Sequence, residues 1–202
     1  MNTEAKPENA RVKIINAAFQ EMHKHGYQGM RVDQVLKVAG LKKGAMYHYF
    51  PSKKELAYAV LEEYIMEKGA KLWIEPLAHF SDPLKGLHKL FIDGENAWDD
   101  EFFTMGCPLN NLAQEMSPID EGFRERIVKI FQFWKEAISD ALKKGQQAGI
   151  VDSSINTEDS AFFILMTIEG AWGLTKSHQN KEVYYSCGRE LERYLNTLRA
   201  KA

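Results

Sequence analysis

Three groups of residues carry chemistry worth weighing. In the first, Tyr47, His48 and Tyr49 stand between Lys42 and Lys43 on one side and Lys53 and Lys54 on the other. Polar-tipped aromatics edged with ammonium groups suit a surface lined with phosphate. In the second, Cys107 stands directly before Pro108, where the spacing predicts the start of a helix. A helix N-terminus lowers the pKa of a thiol and favours its reactive form, and Lys176 could approach the same sulfur. Asn110 and Asn111 follow in that helix, and a buried amide needs a partner, either a ligand or the backbone. The third is Glu169, a carboxylate in an otherwise apolar segment, which must be paired or face a cavity.

Several chemistries are argued against. There is no G-x-S-x-G, no H-E-x-x-H and no phosphate-binding loop, so no enzyme activity is expected. His79 and His178 lack partners at ligand spacing, so neither a metal site nor a cofactor is expected. Cys107 and Cys187 are far apart and outside any CxxC spacing, which fits a reducing, cytoplasmic setting rather than a disulfide framework. No apolar run is long enough to span a membrane, and the polar first residues do not read as a secretory signal. The net charge of −2 hides an asymmetry: residues 1–54 hold ten Lys and Arg against four Asp and Glu, and the remainder is acidic. A basic head on an acidic body points to an anionic partner for the head.

The elements that must position these groups read as helices throughout. Asn9 to about His25 is amphipathic through Val12, Ile15, Ala18, Phe19 and Met22, and Gly26 ends it. Residues 27–31 read as a loop. Val32, Val35, Leu36 and Ala39 then share one helical face, the stretch from Gly40 to Gly44 interrupts it, and Ala45 to Phe50 resume it before Pro51. Two short helices around a tight turn make the helix-turn-helix plan. Ser52-x-x-Glu55 is a capping box opening a connecting helix to about Trp73 or beyond. Asp82-Pro83 opens a helix to about Trp98, residues 99–104 read as a break, and Gly106-Cys107-Pro108 starts a helix ending near Met116. Ser117-Pro118 starts the next, out to about Gln147. Asn156 or Thr157 caps a helix to residue 176 that is apolar on nearly every side, which implies a partner subunit over one face. A last amphipathic helix covers about Lys181 to Arg199. The expected fold is all-α: a three-helix head, residues 1–52, and a six-helix body, residues 53–202, about nine helices in all.

The stretch G-Y-x-x-x-x-V-x-x-V-x-x-x-A-G-L-x-K-G-x-x-Y-H-Y-F-P-S-K-x-x-L, within residues 10–56, resembles the DNA-binding head of TetR-family transcriptional regulators. The resemblance implies an all-α homodimer paired through its last two helices, each head placing its third helix in a major groove of an inverted-repeat operator. It implies a repressor released by a small-molecule effector held in the body. Carried over by position, Lys43, Gly44, Ala45, Met46, Tyr47 and His48 form the recognition region. Tyr47 and Lys53 fall at phosphate contacts, and base readout falls among Lys42, Lys43, Ala45, Met46 and His48. The family's usual Thr-Ser before the second helix is Met30-Arg31 here, so Arg31 stands in for the lost hydroxyl contact. The Gly-Cys-Pro-Leu segment is similar to a subgroup of repressors that answer reactive electrophiles through a cysteine. An inert buried cysteine is the other reading. Candidates for the effector pocket are Trp98, Phe102, Met105, Cys107, Asn110, Asn111, Phe131, Trp134, Phe162, Met166, Glu169, Trp172 and Lys176, although aromatic and Met stripes at helical spacing are core more often than pocket. A DNA-binding architectural or protein-interaction module without an effector is the alternative.

Overall fold

The structure, a computed structural model, describes residues 9–97 and 100–201, with the side chains of Lys43 and of residues 93–97 left out. Trp98 and the Lys43 side chain therefore lie outside the described residues. Among the described residues the fold is all-α, as expected, and Val151 and Arg199 make an isolated antiparallel bridge.

The head has three helices: α1 (Ala10–Gly29), α2 (Val32–Ala39) and α3 (Lys43–Tyr49). The Asn9 side chain caps α1 by accepting from the Arg11 amide at 3.1 Å. Gly26 breaks α1 at φ 73°, ψ 173°, a backbone region essentially reserved for glycine. Beyond the break the chain makes one more helical turn, where the sequence reads as loop. The apolar spacing then buries Met30, Val35, Leu36, Met46 and Phe50 together.

A continuous rod, α4, spans 53–78 and carries the head onto the body. Ser52 caps it by accepting from the Glu55 amide at 3.1 Å. The rod widens twice to i→i−5 bonding, where the Met66 amide reaches the Leu61 carbonyl and the Glu75 amide reaches that of Ala70. Such bulges gather at functional sites. Between them Gly69 meets the Trp134 ring so closely that an added Cβ would lie 2.6 Å from a ring carbon.

The body continues with α5 (Pro83–Ala97), a short helical segment (Asp100–Met105), α6 (Pro108–Met116), α7 (Glu121–Gln147), α8 (Thr157–His178) and α9 (Lys181–Thr197). Asp82, Asp120, Asn156 and Asn180 cap the amides that open α5, α7, α8 and α9. Two boundaries differ from the sequence reading. The expected break at 99–104 is helical from Asp100, because Phe103 packs between Trp172 and Tyr184, with ring centroids at 5.2 and 5.4 Å. The helix expected from Ser117-Pro118 begins only at Glu121, since Asp120 is the residue that caps it. The buried Tyr184 stacks on Phe91 at 4.3 Å and donates its hydroxyl to the Phe91 carbonyl at 3.1 Å, tying α9 to α5. On α8, Ala161, Ile164, Leu165, Ala171 and Trp172 face the core. Its opposite side leaves Phe162, Phe163, Met166 and Leu174 between 46% and 62% exposed.

Candidate nucleic-acid interface and effector cavity

The outer face of the head is built by elimination. With Met46 fully buried beside Val35 and Phe50, α3 turns Gly44, Tyr47 and His48 outward, with Ala45 half-buried between them. Tyr47 is 55% exposed, and Arg31 and Lys42, the residues preceding α2 and α3, are exposed as well. Met46 is therefore corrected from a candidate reader of bases to a core residue: the i, i+4 spacing to Phe50 puts both on the packed side. Lys53 is half-buried, donating its ammonium to the Gln28 carbonyl at 3.0 Å and lying 4.9 Å from the Tyr27 ring centroid. Partial burial pushes its pKa down.

The body holds a partly open cavity of about 370 Å³. Its walls come from six directions: Phe19 of α1; Tyr64, Lys68, Gly69, Leu72, Trp73 and Leu77 among others of α4; Leu87 and Leu90 of α5; Phe102, Cys107 and Pro108; Trp134 and Ile138 of α7; and Leu165, Ile168, Glu169 and Trp172 of α8. Of the pocket candidates read from sequence, Phe102, Cys107, Trp134, Glu169 and Trp172 lie together on it. Of the other described candidates, Met105, Asn110, Asn111, Phe131, Phe162, Met166 and Lys176 do not line it. Phe162 and Met166 point away from the body, because an all-round apolar helix gives no sign of which stripe faces in. Phe131 packs edge-on against Trp134 instead. Asn110 donates to the Glu169 carbonyl at 3.2 Å and Asn111 to that of Met105 at 2.8 Å, so both amides are held by backbone. Lys176 donates to the Asn111 side chain at 3.0 Å.

Two of the side chains that line the cavity carry a buried polar atom without a hydrogen-bond partner: Glu169 at Oε2 and Trp134 at Nε1. Burial raises the Glu169 carboxyl to about 7, and the facing Cys107 thiol draws it only partly back. The same pairing acts on the thiol. Burial, and then the charge of Glu169, push Cys107 well above the usual thiol range, with the amides of the α6 N-terminus pulling weakly the other way. This reverses the lowering expected from the helix start: the group facing the sulfur is a carboxyl, and the Lys176 ammonium is turned to Asn111.

The cavity adjoins the head directly. Phe19 stacks on Tyr64 with centroids 4.2 Å apart. His23 of α1 packs on Phe102 at 4.9 Å and meets the Gly106 carbonyl at 2.6 Å. A carbonyl only accepts, so Nε2 carries the hydrogen. At the far end of α6, Glu115 accepts from the amides of Tyr27 and Gln28, both at 2.8 Å, just past the Gly26 break. Lower in the seam Asp120 accepts from Tyr58 at 2.9 Å and pairs with Lys54 at 2.6 Å, which holds its carboxyl down at about 2. None of Phe19, Tyr64, Trp73, Glu115 or Asp120 was singled out from sequence for these roles. Phe19 and Tyr64 carried only the periodicity of core positions. Glu115 lies 88 residues from Tyr27, and nothing local marks it.

A helix-turn-helix head seated on a helical body with a cavity defines a class, the helix-turn-helix transcriptional regulators. Comparison with known proteins gives the family. Residues 14–60 match the family described as bacterial regulatory proteins, tetR family, and residues 83–190 match the tetracyclin repressor-like C-terminal domain. An uncharacterized HTH-type transcriptional regulator of Lactococcus lactis subsp. lactis is 31% identical over 136 residues, covering 66% of this chain and 68% of its own. The HTH-type transcriptional repressor DhaR of Mycobacterium sp. (strain GP1) is 24% identical over 85% of each chain. The crystal structure of regulatory protein TetR from Rhodobacter sphaeroides superposes with a TM-score of 0.83 at 25% identity, over 92% of this chain and 98% of that one. The chain belongs to the TetR family of transcriptional regulators. No helix among the described residues is long and apolar enough to cross a membrane.

Proposed function

We propose that this chain is a transcriptional repressor that binds an inverted-repeat operator as a homodimer and lets go when a small molecule fills the body cavity. The observation that carries this reading is the shared wall between cavity and head. Phe19 of the head helix lines the cavity, and α6 runs from Cys107 at the cavity to Glu115 at the head. A ligand that moves α6 or α1 changes the seat of the head, and it shifts the equilibrium by as much as its affinities for the two arrangements differ.

In this reading residues 1–52 are the reading head and 53–202 the sensing and pairing body. Arg31, Lys42, Gly44, Ala45, Tyr47 and His48 face the groove, Lys43 joins them by its position in the recognition region, and Lys53 supports the surface from behind. The homodimer forms through α8 and α9. Its support is the outward stripe of Phe162, Phe163, Met166 and Leu174, together with open space beside Gly170 and Gly173. An apolar stripe of this kind calls for a cover, and a second copy supplies a self-complementary one. A reversible effector is favoured over a reactive electrophile, because burial and Glu169 keep the Cys107 thiol protonated. A purely architectural module would have no use for a cavity lined by two side chains with unpaired polar atoms.

The test is selection from a random-sequence duplex library with the purified protein. Enrichment of an inverted repeat, lost in Tyr47→Ala, is expected. A pool that stays random, or enrichment that survives the substitution unchanged, counts against the reading.

A further inference from the structure

The unpaired atoms of the side chains lining the cavity say what kind of molecule fits there. A buried donor or acceptor without a partner carries a desolvation cost that a ligand can remove. Here there is one of each, the indole N–H of Trp134 and Oε2 of Glu169, on side chains of a wall otherwise dominated by aromatic and aliphatic carbon. Phe19, Tyr64, Phe102 and Trp172 supply ring surface on several sides. Lys68 brings an ammonium to the same wall, 5.6 Å from the Tyr64 ring centroid.

We propose that the cavity takes a neutral aromatic molecule carrying a hydroxyl group, of the phenol or aryl alcohol class. A hydroxyl both accepts and donates, so it can answer the Trp134 N–H as an acceptor or the Glu169 oxygen as a donor. An organic cation answers only the carboxylate. It leaves the indole N–H unpaired and adds a second positive charge to a wall that already holds Lys68. A plain hydrocarbon fills the space and leaves both atoms orphaned. The carboxyl also sits near half-protonation at neutrality, so it can donate to the hydroxyl oxygen as well as accept from its hydrogen. The inference rests on the reading of this cavity as the effector site.

The test uses three matched probes in equilibrium dialysis against the full-length protein: naphthalene, 2-naphthol and 2-naphthyltrimethylammonium. The expected result is that 2-naphthol binds at least tenfold more tightly than naphthalene and more tightly than the ammonium. Trp134→Phe keeps the ring and removes the N–H, and it should cut the naphthol preference severalfold while leaving naphthalene binding in place. Glu169→Met should do the same from the other side. Equal binding of naphthol and naphthalene, tightest binding of the ammonium, or binding of none of the three overturns the proposal. The regulator reading fails separately, through a wild-type protein that selects no operator.

Discussion

Glu115→Gln is the most informative single change, because it leaves the shape of the seam between body and head and alters only its chemistry. The carboxylate accepts one amide on each oxygen, Tyr27 N–H and Gln28 N–H, both at 2.8 Å. A glutamine offers one acceptor and one NH₂, and the NH₂ cannot take a second amide. The half-buried Tyr27 bond is the costlier to lose, so the glutamine oxygen turns to it, and the Gln28 amide is left to water. Hydrogen bonds to charged groups contribute about 1.5–3 kcal/mol and neutral ones about 0.5–1.5. One bond weakened and one exchanged for solvent gives a loss of about 2 kcal/mol. At roughly 2–4 °C per kcal/mol for a chain of this size, the melting temperature falls by about 4–8 °C. Calorimetry reads the stability, and fluorescence anisotropy on a selected operator reads the head, whose grip should weaken while probe binding in the cavity is unchanged. A variant within about 0.5 kcal/mol of wild type, with unaltered operator affinity, refutes the seam as a mechanical link.

Gly26→Ala should be costly for two reasons, backbone strain of about 1–3 kcal/mol and a Cβ placed 2.7 Å from Glu115 Oε2. Combined with Glu115→Ala, which removes the steric part, the pair should cost less than the sum of the singles in urea unfolding. The Glu169 carboxyl moves from 4.5 in the open chain to about 7 in the fold. A raised carboxyl favours the native state below its unfolded value, and the benefit is lost as pH rises toward about 7. Between pH 4.5 and 7.5, wild type should therefore lose up to about 3 kcal/mol relative to Glu169→Gln, and parallel stability curves for the two would contradict the burial argument. Arg31→Ala should weaken binding on all sequences and flatten the salt dependence of operator binding by roughly one ion. Met46→Ala should instead lower stability by about 2–5 kcal/mol through its core cavity, with the preferred operator sequence unchanged.

The head was legible because each of its devices is local. Gly26, Gly40, Pro51 and Ser52 punctuate the chain within a few residues of what they end or begin, and the structure follows them. Met46 was misjudged because its neighbours are polar-tipped, although its spacing to Phe50 already pointed inward. Glu169 was legible as an anomaly, since a carboxylate in an apolar helix demands a reason. The rest of the cavity was not. Periodicity reports that Phe19 and Tyr64 face the interior, and a cavity is interior left unfilled, which depends on how helices distant in sequence meet. The all-round apolarity of α8 hid its orientation for the same reason, and Phe162 and Met166 fell on the outside. The seam through Glu115, His23 and Asp120 joins residues 62 to 88 positions apart, and no window of sequence contains both partners.

The most direct test of a paired, DNA-gripping regulator compares a selected inverted-repeat duplex with a duplex carrying one of its half-sites. Anisotropy titrations should give at least a hundredfold tighter binding on the full repeat, with two protomers per duplex at saturation. Equal affinity for the two duplexes, with one protomer bound to each, would contradict the account.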